Sequence, residues 1–226
     1  LSSLQSRPQA QQLFTQFATA AFRHPVDDEY VERLLQIYDL AVHRGQTAAA
    51  AAGHALTAIL ISPNFLMRVE REPPGAAEVF PVTDYDLANR LSFFLWSRGP
   101  DVELLELAEA GQLHAEPVLR TQVARMLQDP RSQALVDNFF FQWLGLRELS
   151  AHEANPEVFP EYDPQRREDM LGEVRRLLTE LVQHRRPLSE LLDNRSGFVS
   201  RRLAQHYALD VEALAADAGW KLDTAF

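Results

Sequence analysis

The sequence predicts an all-α fold, a single packed array of amphipathic helices without significant sheet. Apolar residues recur at helical spacing in successive segments, and no run alternates with the period of two that is typical of strands. Most of these segments also begin with a recognisable N-terminal cap. With 226 residues, of which 46% are hydrophobic and 24% charged, the chain can bury a core of this kind.

Three helices are predicted before the first break in the pattern. The first spans about residues 8–23 and ends before Pro25, which cannot continue a helix. Asp27 is predicted to cap the second helix, which ends near Gly45. The third helix is rich in alanine and stops before Pro63. Small side chains let a neighbouring helix approach closely, so we expect this third helix to be central.

Residues 73–81 are predicted to be a linker, because two prolines and a glycine follow one another at its centre. The linker separates an N-terminal helical segment, residues 1–72, from a main helical segment, residues 82–226. We expect the two segments to form one continuous domain.

The clearest predicted helix start lies directly after the linker. Thr83 is expected to cap this helix, with Asp86 reaching back to it three residues later. Val82 and Leu87 flank the cap and form the pattern of a hydrophobic staple. The helix is predicted to bury Leu87, Leu91, Phe94 and Leu95 and to end at about Ser97.

Aspartates mark the later helix starts. Asp101 is expected to cap a short helix, and Asp129 and Asp163 each precede a proline at the first helical position. A last helical pair is predicted at residues 188–192 and 198–207. The helix after Asp129 is predicted to be the most apolar, with Leu135, Val136, Phe139, Phe140, Trp143 and Leu144 on its stripe.

Composition excludes several classes of function. The net charge is -10 and Lys221 is the only lysine, so the chain is a poor candidate for binding nucleic acid. The absence of cysteine excludes disulfides, thiolate zinc sites, iron–sulfur clusters and covalently attached haem within these residues. No apolar run reaches the length of a membrane span. The first residues contain no starting Met and no signal-peptide pattern, so we expect a portion of a longer polypeptide.

Six short stretches, in order along nearly the whole chain, resemble a known family. They are residues 22–25, residues 60–66 with Arg68 and Glu70, residues 87–97 with Pro100 and Asp101, residues 125–127 with 129–131, residues 141–144, and residues 203–207. Together they resemble the helical core of a family of large uncharacterised bacterial proteins, abundant in planctomycetes and also found in myxobacteria. Gly197, Ser200 and Ala208 depart from the family pattern, which has Thr, Asn and Gly there.

The resemblance implies a context rather than an activity. Members of that family are often exported and are often fused to a c-type cytochrome domain. We therefore expect the chain to belong to a larger periplasmic or extracellular protein, with other segments or domains of the same parent as its partners. Any c-type haem is expected on another part of that protein, and no cofactor in this chain. The terminal residue Phe226 is expected to be covered by such a segment, whereas Trp220 is equally compatible with docking back on the core.

The densest polar group of the sequence is Arg68, Glu70 and Arg90. One interpretation is a site lined by arginines that binds a carboxylate or a similar anion. The other is a bidentate ion pair between Glu70 and Arg90 that ties two helices together. We expect the last two side chains to contact one another in the folded state.

Trp96, with Phe93 beside it, is a candidate platform for stacking a sugar or another ligand, although aromatics at helical spacing usually lie in a core. No metal site is expected. Glu180 and His184 share a helix face without a third ligand, and His54 and His206 are possible but unfavoured axial haem ligands.

These observations lead to two functional hypotheses. The first is a helical scaffold or interaction domain of a larger exported, redox-associated protein. The alternative is an enzyme domain, hydrolytic in the simplest case, with its polar site around Arg68, Glu70 and Arg90. A buried and fully paired Arg90 favours the scaffold, and a solvent-lined pocket that holds unpaired carboxylates favours the enzyme.

Overall fold

The computed structural model describes residues 6–68, 70, 75, 79–149, 151–155, 157–192 and 197–210, and the backbone alone of Trp220–Leu222. Over these residues the fold is all-α, as predicted. Most of the predicted linker, and Phe226 with the surroundings of Trp220, lie outside the described residues. No helix within the described part of the chain is long and apolar enough to cross a bilayer.

The chain divides into two compact units. Unit 1 consists of Leu1–Arg90 and Gly99–Ala115, and unit 2 of Leu91–Arg98 and Glu116–Phe226. The division passes through one continuous helix, Asp84–Trp96. The division at residues 73–81 stays a prediction.

Unit 1 contains the helices predicted for the first part of the chain and one four-residue helix that was not predicted. Their bounds are α1 (Arg7–Phe22), α2 (Asp28–His43), α3 (Ala48–Leu60), α4 (Pro63–Leu66), the beginning of α5 (Asp84–Trp96) and α6 (Val102–Glu109). The predicted caps are present: Asp27 accepts a hydrogen bond from the Tyr30 amide, and Thr83 accepts one from the Asp86 amide. The carboxylate of Asp86 reaches back to the Thr83 hydroxyl, which donates to it at 2.6 Å.

The core of unit 1 is a three-helix cluster of α1, α2 and α3. Phe14 of α1 is fully buried and its ring meets that of Tyr38 of α2 edge to face, at 6.0 Å between centroids. On α3, three alanines are fully buried: Ala51, Ala52 and Ala55. Their small side chains allow the neighbouring helices to approach α3 closely, which is the reason for expecting a central helix here.

Unit 2 is built around one long helix, α10. The elements of unit 2 are the end of α5, α7 (Glu116–Gln128), a 3-10 turn (Pro130–Ser132), a π-helical segment (Leu135–Phe140), α8 (Phe141–Trp143), α9 (Leu146–Leu149), α10 (Pro164–Gln183), a second 3-10 turn (Leu188–Leu191), β1 (Gly197–Val199), α11 (Arg201–His206) and β2 (Trp220–Leu222). Helix α10 packs against α7, the π-helical segment, β1 and α11.

The predicted helix at residues 198–207 is wrong at its beginning. Gly197–Val199 forms a strand that pairs in parallel with Trp220–Leu222. The helix starts only after Ser200, whose hydroxyl accepts a hydrogen bond from the Leu203 amide. The strand residues before this cap are buried. Because they are as apolar as the buried face of a helix, their apolar character did not show that the helix begins only after Ser200.

The apolar helix predicted after Asp129 is also different in detail. It divides into the 3-10 turn, the π-helical segment and α8, and three members of its apolar stripe, Phe139, Trp143 and Leu144, are exposed. A π-helical turn contains more residues than an α-helical one, so the side chains that follow are rotated away from the face that a period of 3.6 predicts. Phe94 of α5 was expected to be buried, and this prediction is wrong because Phe94 is exposed.

The buried position of Phe14 leads to a first prediction. Phe14→Ala is expected to lower the free energy of unfolding by about 3–5 kcal/mol, because it leaves a cavity between α1 and α2. Leu40→Ala removes an exposed side chain from α2 and is the matched control, with an expected effect within about 0.5 kcal/mol. Chemical denaturation followed by far-UV circular dichroism measures both variants. Equal effects would contradict the described core.

Candidate functional site

Unit 1 has a cleft of about 290 Å³ between the end of α1, the start of α2, the α4 segment and the start of α5. All three polar residues singled out from the sequence, Arg68, Glu70 and Arg90, line this cleft. The other lining residues are Phe22, Arg23, His24, Pro25, Val26, Asp27, Tyr30, Arg33, Asn64, Met67, Thr83, Asp86 and Asn89. The structure therefore brings together residues that are far apart in sequence.

Arg23 holds the α4 segment at the end of α1. It adopts a left-handed backbone conformation with φ of 58°, which is uncommon for a residue other than glycine. Its guanidinium Nη2 donates towards three carbonyl oxygens at the end of α4, those of Asn64 at 3.2 Å, Phe65 at 3.4 Å and Met67 at 3.5 Å. The carbonyl end of a helix attracts a cation, so this contact fixes the place where the chain leaves α4.

Glu70 and Arg90 form a two-pronged ion pair. Arg90 Nε donates to Glu70 Oε1 at 2.6 Å and Arg90 Nη2 donates to Glu70 Oε2 at 2.5 Å. The predicted contact between these side chains is thus present. The side chains of Arg90 and Glu70 are 56% and 38% exposed, however, so the pair lies at the surface of the cleft and not in the core. Arg90 holds the pKa of Glu70 below its usual value.

The cleft is more positive than the chain as a whole. Its lining contains four arginines against three carboxylates, although the net charge of the chain is -10. Arg68 is close enough to Arg23 to contribute, after burial, to lowering the pKa of that guanidinium. Arg68 also contributes to lowering the pKa of Glu70. Two cations and the Glu70–Arg90 pair therefore share one small space.

Each carboxylate that lines the cleft has a partner within the protein. Glu70 accepts from Arg90, and Asp86 accepts from the Thr83 hydroxyl. Asp27 accepts from the Tyr30 amide at the start of α2. In the described residues of the cleft, the carboxylates act as caps or ion-pair partners, which is not the arrangement expected of a catalytic acid and base.

Sequence reasoning missed most of the polar residues of this cleft, among them Arg23, Arg33, Asn64 and Asn89. Asn89 Nδ2 donates to the Tyr85 carbonyl oxygen at 2.9 Å and lies 3.5 Å from the Arg23 carbonyl oxygen. The one available signal was that Arg23 lies two residues before Pro25, at the end of a helix, and that Asn64 follows Pro63, at the beginning of another. Helix ends come together only when the helices pack against one another. The positions of Arg23 and Asn64 near helix ends were therefore not enough to predict that both line one cleft.

Trp96 belongs to unit 2 and does not line the cleft. The Trp96 side chain is buried, with 3% of the residue exposed, and its Nε1 donates to the Met126 carbonyl oxygen at 2.9 Å. The Arg131 guanidinium lies over the Trp96 ring at 3.5 Å from the centroid. Asp129 accepts two side-chain hydrogen bonds from Arg131. These surroundings are those of a core aromatic residue rather than an open stacking platform.

Unit 2 carries an exposed group of stacked aromatic rings instead, which we call the aromatic surface: Phe94, Phe139 and Trp143. These residues are 53%, 41% and 61% exposed. The Phe94 and Phe139 rings meet edge to face at 5.4 Å, and the Phe139 and Trp143 rings are stacked at 6.1 Å. Sequence reasoning predicted burial for Phe94 and placed Phe139 and Trp143 on the apolar stripe of a helix.

A buried polar group in unit 2 was also missed. Asp169 of α10 is buried, accepts a hydrogen bond from the Ser200 hydroxyl at 3.1 Å and lies 3.3 Å from Arg202 Nε. One turn further along α10, Glu173 accepts a hydrogen bond from the Tyr207 hydroxyl at 2.9 Å. Burial raises the pKa of Glu173, and burial with the Glu173 charge raises the pKa of Tyr207 to about 12. These bonds attach α11 to α10.

The histidines considered from the sequence have ordinary partners. His184 pairs with Glu180 one turn earlier on α10. The His54 ring nitrogen lies 2.9 Å from the Gln46 side-chain oxygen, and His206 lies 3.6 Å from Glu161. Among the described residues, no three His, Asp or Glu side chains are grouped so that they can hold a metal ion.

The two units and their sites thus define a helical protein with a basic cleft and an exposed aromatic surface. Residues 82–209 match the PSD4 family, described as a protein of unknown function (DUF1592), and the chain belongs to this family. Residues 9–70 match PSD5, also described as a protein of unknown function (DUF1595). No curated protein and no solved structure is detectably similar to the chain.

The exposed position of the Glu70–Arg90 pair leads to a prediction about pH. The folded-state pKa of Glu70 is lowered, so the pair stabilises the fold above the unfolded-state pKa and loses this effect as pH falls through the folded value. Arg90→Ala is expected to return the pKa of Glu70 towards 4.5, with a small loss of stability because the pair is solvated. Carboxyl-detected NMR titration measures the pKa.

Arg120→Ala, which removes an exposed ion pair on α7, is the matched control for stability. The denaturation midpoints of the two variants are expected to be similar. A much lower midpoint for Arg90→Ala would indicate that Glu70–Arg90 is a structural anchor of unit 1.

The Trp96 group leads to a second prediction about pH. Hydrogen bonds from Arg131 lower the pKa of Asp129 to about 2. Because the folded-state pKa is lowered, this carboxylate stabilises the fold above the unfolded value of 3.8 and stops doing so as pH falls towards 2. Arg131→Gln is expected to raise the pKa of Asp129, and its stability deficit relative to the natural chain should shrink between pH 5 and pH 2. A deficit that does not change with pH contradicts this assignment.

Proposed function

We propose that the chain is a helical scaffold or interaction domain of a larger exported, redox-associated protein. The aromatic surface of unit 2 carries this proposal, as the place where another domain of the same parent protein docks. The support for an exported and redox-associated parent is the resemblance of the chain to proteins that are often exported and fused to c-type cytochrome domains.

Exposure of the aromatic surface is the main support. Three large rings that contact one another and remain between 41% and 61% exposed are unusual, because such rings normally gain free energy by leaving water. Contiguous exposed apolar side chains typically mark protein interaction sites. Phe139 lies in the π-helical segment, a kind of irregularity that is frequent at functional sites.

The rim of the aromatic surface indicates the chemistry of the partner. Asn138 precedes Phe139, and its side chain donates to the Ser97 hydroxyl at 2.8 Å. Arg147 lies beside it, with Nη2 at 3.1 Å from the Asn138 carbonyl oxygen. Aromatic residues bordered by an arginine fit a partner that presents apolar side chains together with carboxylates. We therefore propose an acidic, apolar segment of the parent protein as the occupant.

The enzyme alternative has less support from the geometry. It required a solvent-lined pocket with unpaired carboxylates, and the three carboxylates of the cleft each accept hydrogen bonds from protein groups. Glu70 is exposed but has a lowered pKa, which is the opposite of what a general acid at neutral pH needs. This geometry favours binding in the cleft over catalysis.

The docking proposal is tested with the other domains of the natural gene product, added as separate polypeptides. They are expected to protect the backbone amides of residues 138–144 from hydrogen exchange, and Trp143→Ser should weaken the association by about tenfold or more, as for a central aromatic contact. Leu192→Ser, which changes another highly exposed apolar residue of unit 2, is the control and should have no effect.

Two outcomes would overturn the proposal. One is the absence of protection at residues 138–144 when all other domains are present. The other is equal weakening by Trp143→Ser and Leu192→Ser. The redox context is tested separately, by haem absorbance of the purified full-length gene product, and an intact parent without haem refutes that part alone.

A further inference from the structure

We propose that the cleft of unit 1 is a binding site for a small organic carboxylate with a short apolar body. The inference goes beyond the proposed docking function and concerns a different unit of the chain. It depends on the shape of the cleft, the composition of its wall and the arrangement of its guanidinium groups.

The size of the cleft fits a small molecule. Its volume of about 290 Å³ lies at the lower end of the range for small-molecule sites, on the order of 300–1,000 Å³. The cleft is formed by segments from four parts of unit 1, so its ligand would contact several elements at once. Concave surfaces of this kind bury a larger part of a ligand than a flat surface does.

One part of the cleft wall is apolar. Phe22 at the end of α1 and Tyr30 of α2 meet edge to face, with 5.3 Å between their ring centroids. Val26 and Met67 also line the cleft. This wall can contact the hydrocarbon part of a ligand, which inorganic phosphate or sulfate does not possess.

The other part of the cleft wall is basic, because arginines line it. Arg23, Arg33, Arg68 and Arg90 outnumber the carboxylates that line the cleft. A guanidinium has five N–H donors in a planar fork, so one that bonds to protein atoms can donate to a ligand at the same time. Arg23 and Arg68 are close enough for their charges to repel one another, and an anion placed between them would relieve this repulsion.

Glu70 occupies part of the anion-binding capacity of the cleft. Its carboxylate takes two hydrogen bonds from Arg90, in the bidentate geometry that a ligand carboxylate would also adopt. The pair is solvent-exposed, so its net strength is modest and exchange with a ligand is feasible. Glu70 is thus an internal competitor, and its removal should favour the ligand.

The experiment uses benzoate as the probe and benzamide, which has the same shape without the charge, as the neutral comparison. Titration of the full chain with benzoate, followed by NMR of the Asn64 and Asn89 side-chain amides, is expected to give saturable shifts with a dissociation constant on the order of 1 mM. Benzamide and inorganic phosphate are each expected to bind at least about tenfold more weakly than benzoate. Benzamide lacks the negative charge, and phosphate lacks the apolar body.

Two variants with opposite expected effects test the named residues. Arg68→Gln should weaken benzoate binding about tenfold, since it removes a charge-assisted contact, and Glu70→Gln should strengthen it several-fold by releasing Arg90. The controls are Arg120→Gln and Glu116→Gln, which remove the same charges from an exposed ion pair on α7. Both controls should change the affinity less than about twofold.

The outcomes separate the alternatives. Absence of saturable shifts at about 50 mM benzoate refutes the site. Equal effects of Arg68→Gln and Arg120→Gln show attraction by net charge alone and also refute it. Tighter binding of phosphate than of benzoate refutes the carboxylate with an apolar body. Weaker binding by Glu70→Gln means that Glu70 shapes the cleft instead of competing, and overturns the proposed mode of binding.

Discussion

The candidate cleft depends on one contact, that of the Arg23 guanidinium with the carbonyl end of α4. The left-handed conformation of Arg23 ends α1 and turns the chain towards α2, while its side chain returns to the Asn64, Phe65 and Met67 carbonyl oxygens. A glycine would adopt this backbone conformation at lower cost but has no guanidinium to offer. This contact holds the end of α4, up to the Met67 carbonyl oxygen, at the edge of the cleft.

Arginine serves as a planar fork in both units. Arg90 grips Glu70 with two nitrogens at the cleft, and Arg131 grips Asp129 while its flat face lies over Trp96. Lysine makes neither contact in this form, since its ammonium group is a point charge without a face. The chain has a single lysine among 22 basic residues. Nearly all of its cations are therefore planar guanidinium groups, which can form bidentate ion pairs and lie flat on aromatic rings.

The two candidate surfaces have opposite chemistry. The cleft of unit 1 gathers cations around a partly apolar wall, which suits a small anion. The aromatic surface of unit 2 exposes Phe94, Phe139 and Trp143, which suits a macromolecular partner. The π-helical segment that contains Phe139 explains how a stripe that reads as core becomes a surface, because it shifts the rotation of the residues after it.

The sequence by itself determined the helical fold class and the positions of most helix starts. These depend on local signals, since caps such as Asp27 and Thr83 bond to amides only three residues away. Tertiary structure alone decided which apolar residues are exposed and which polar residues share the cleft. Burial of Trp96 and exposure of Trp143 depend on which neighbours cover each ring. Arg23 and Arg90 line the same cleft only because separate helices pack, and a periodic pattern in one segment carries no information about that.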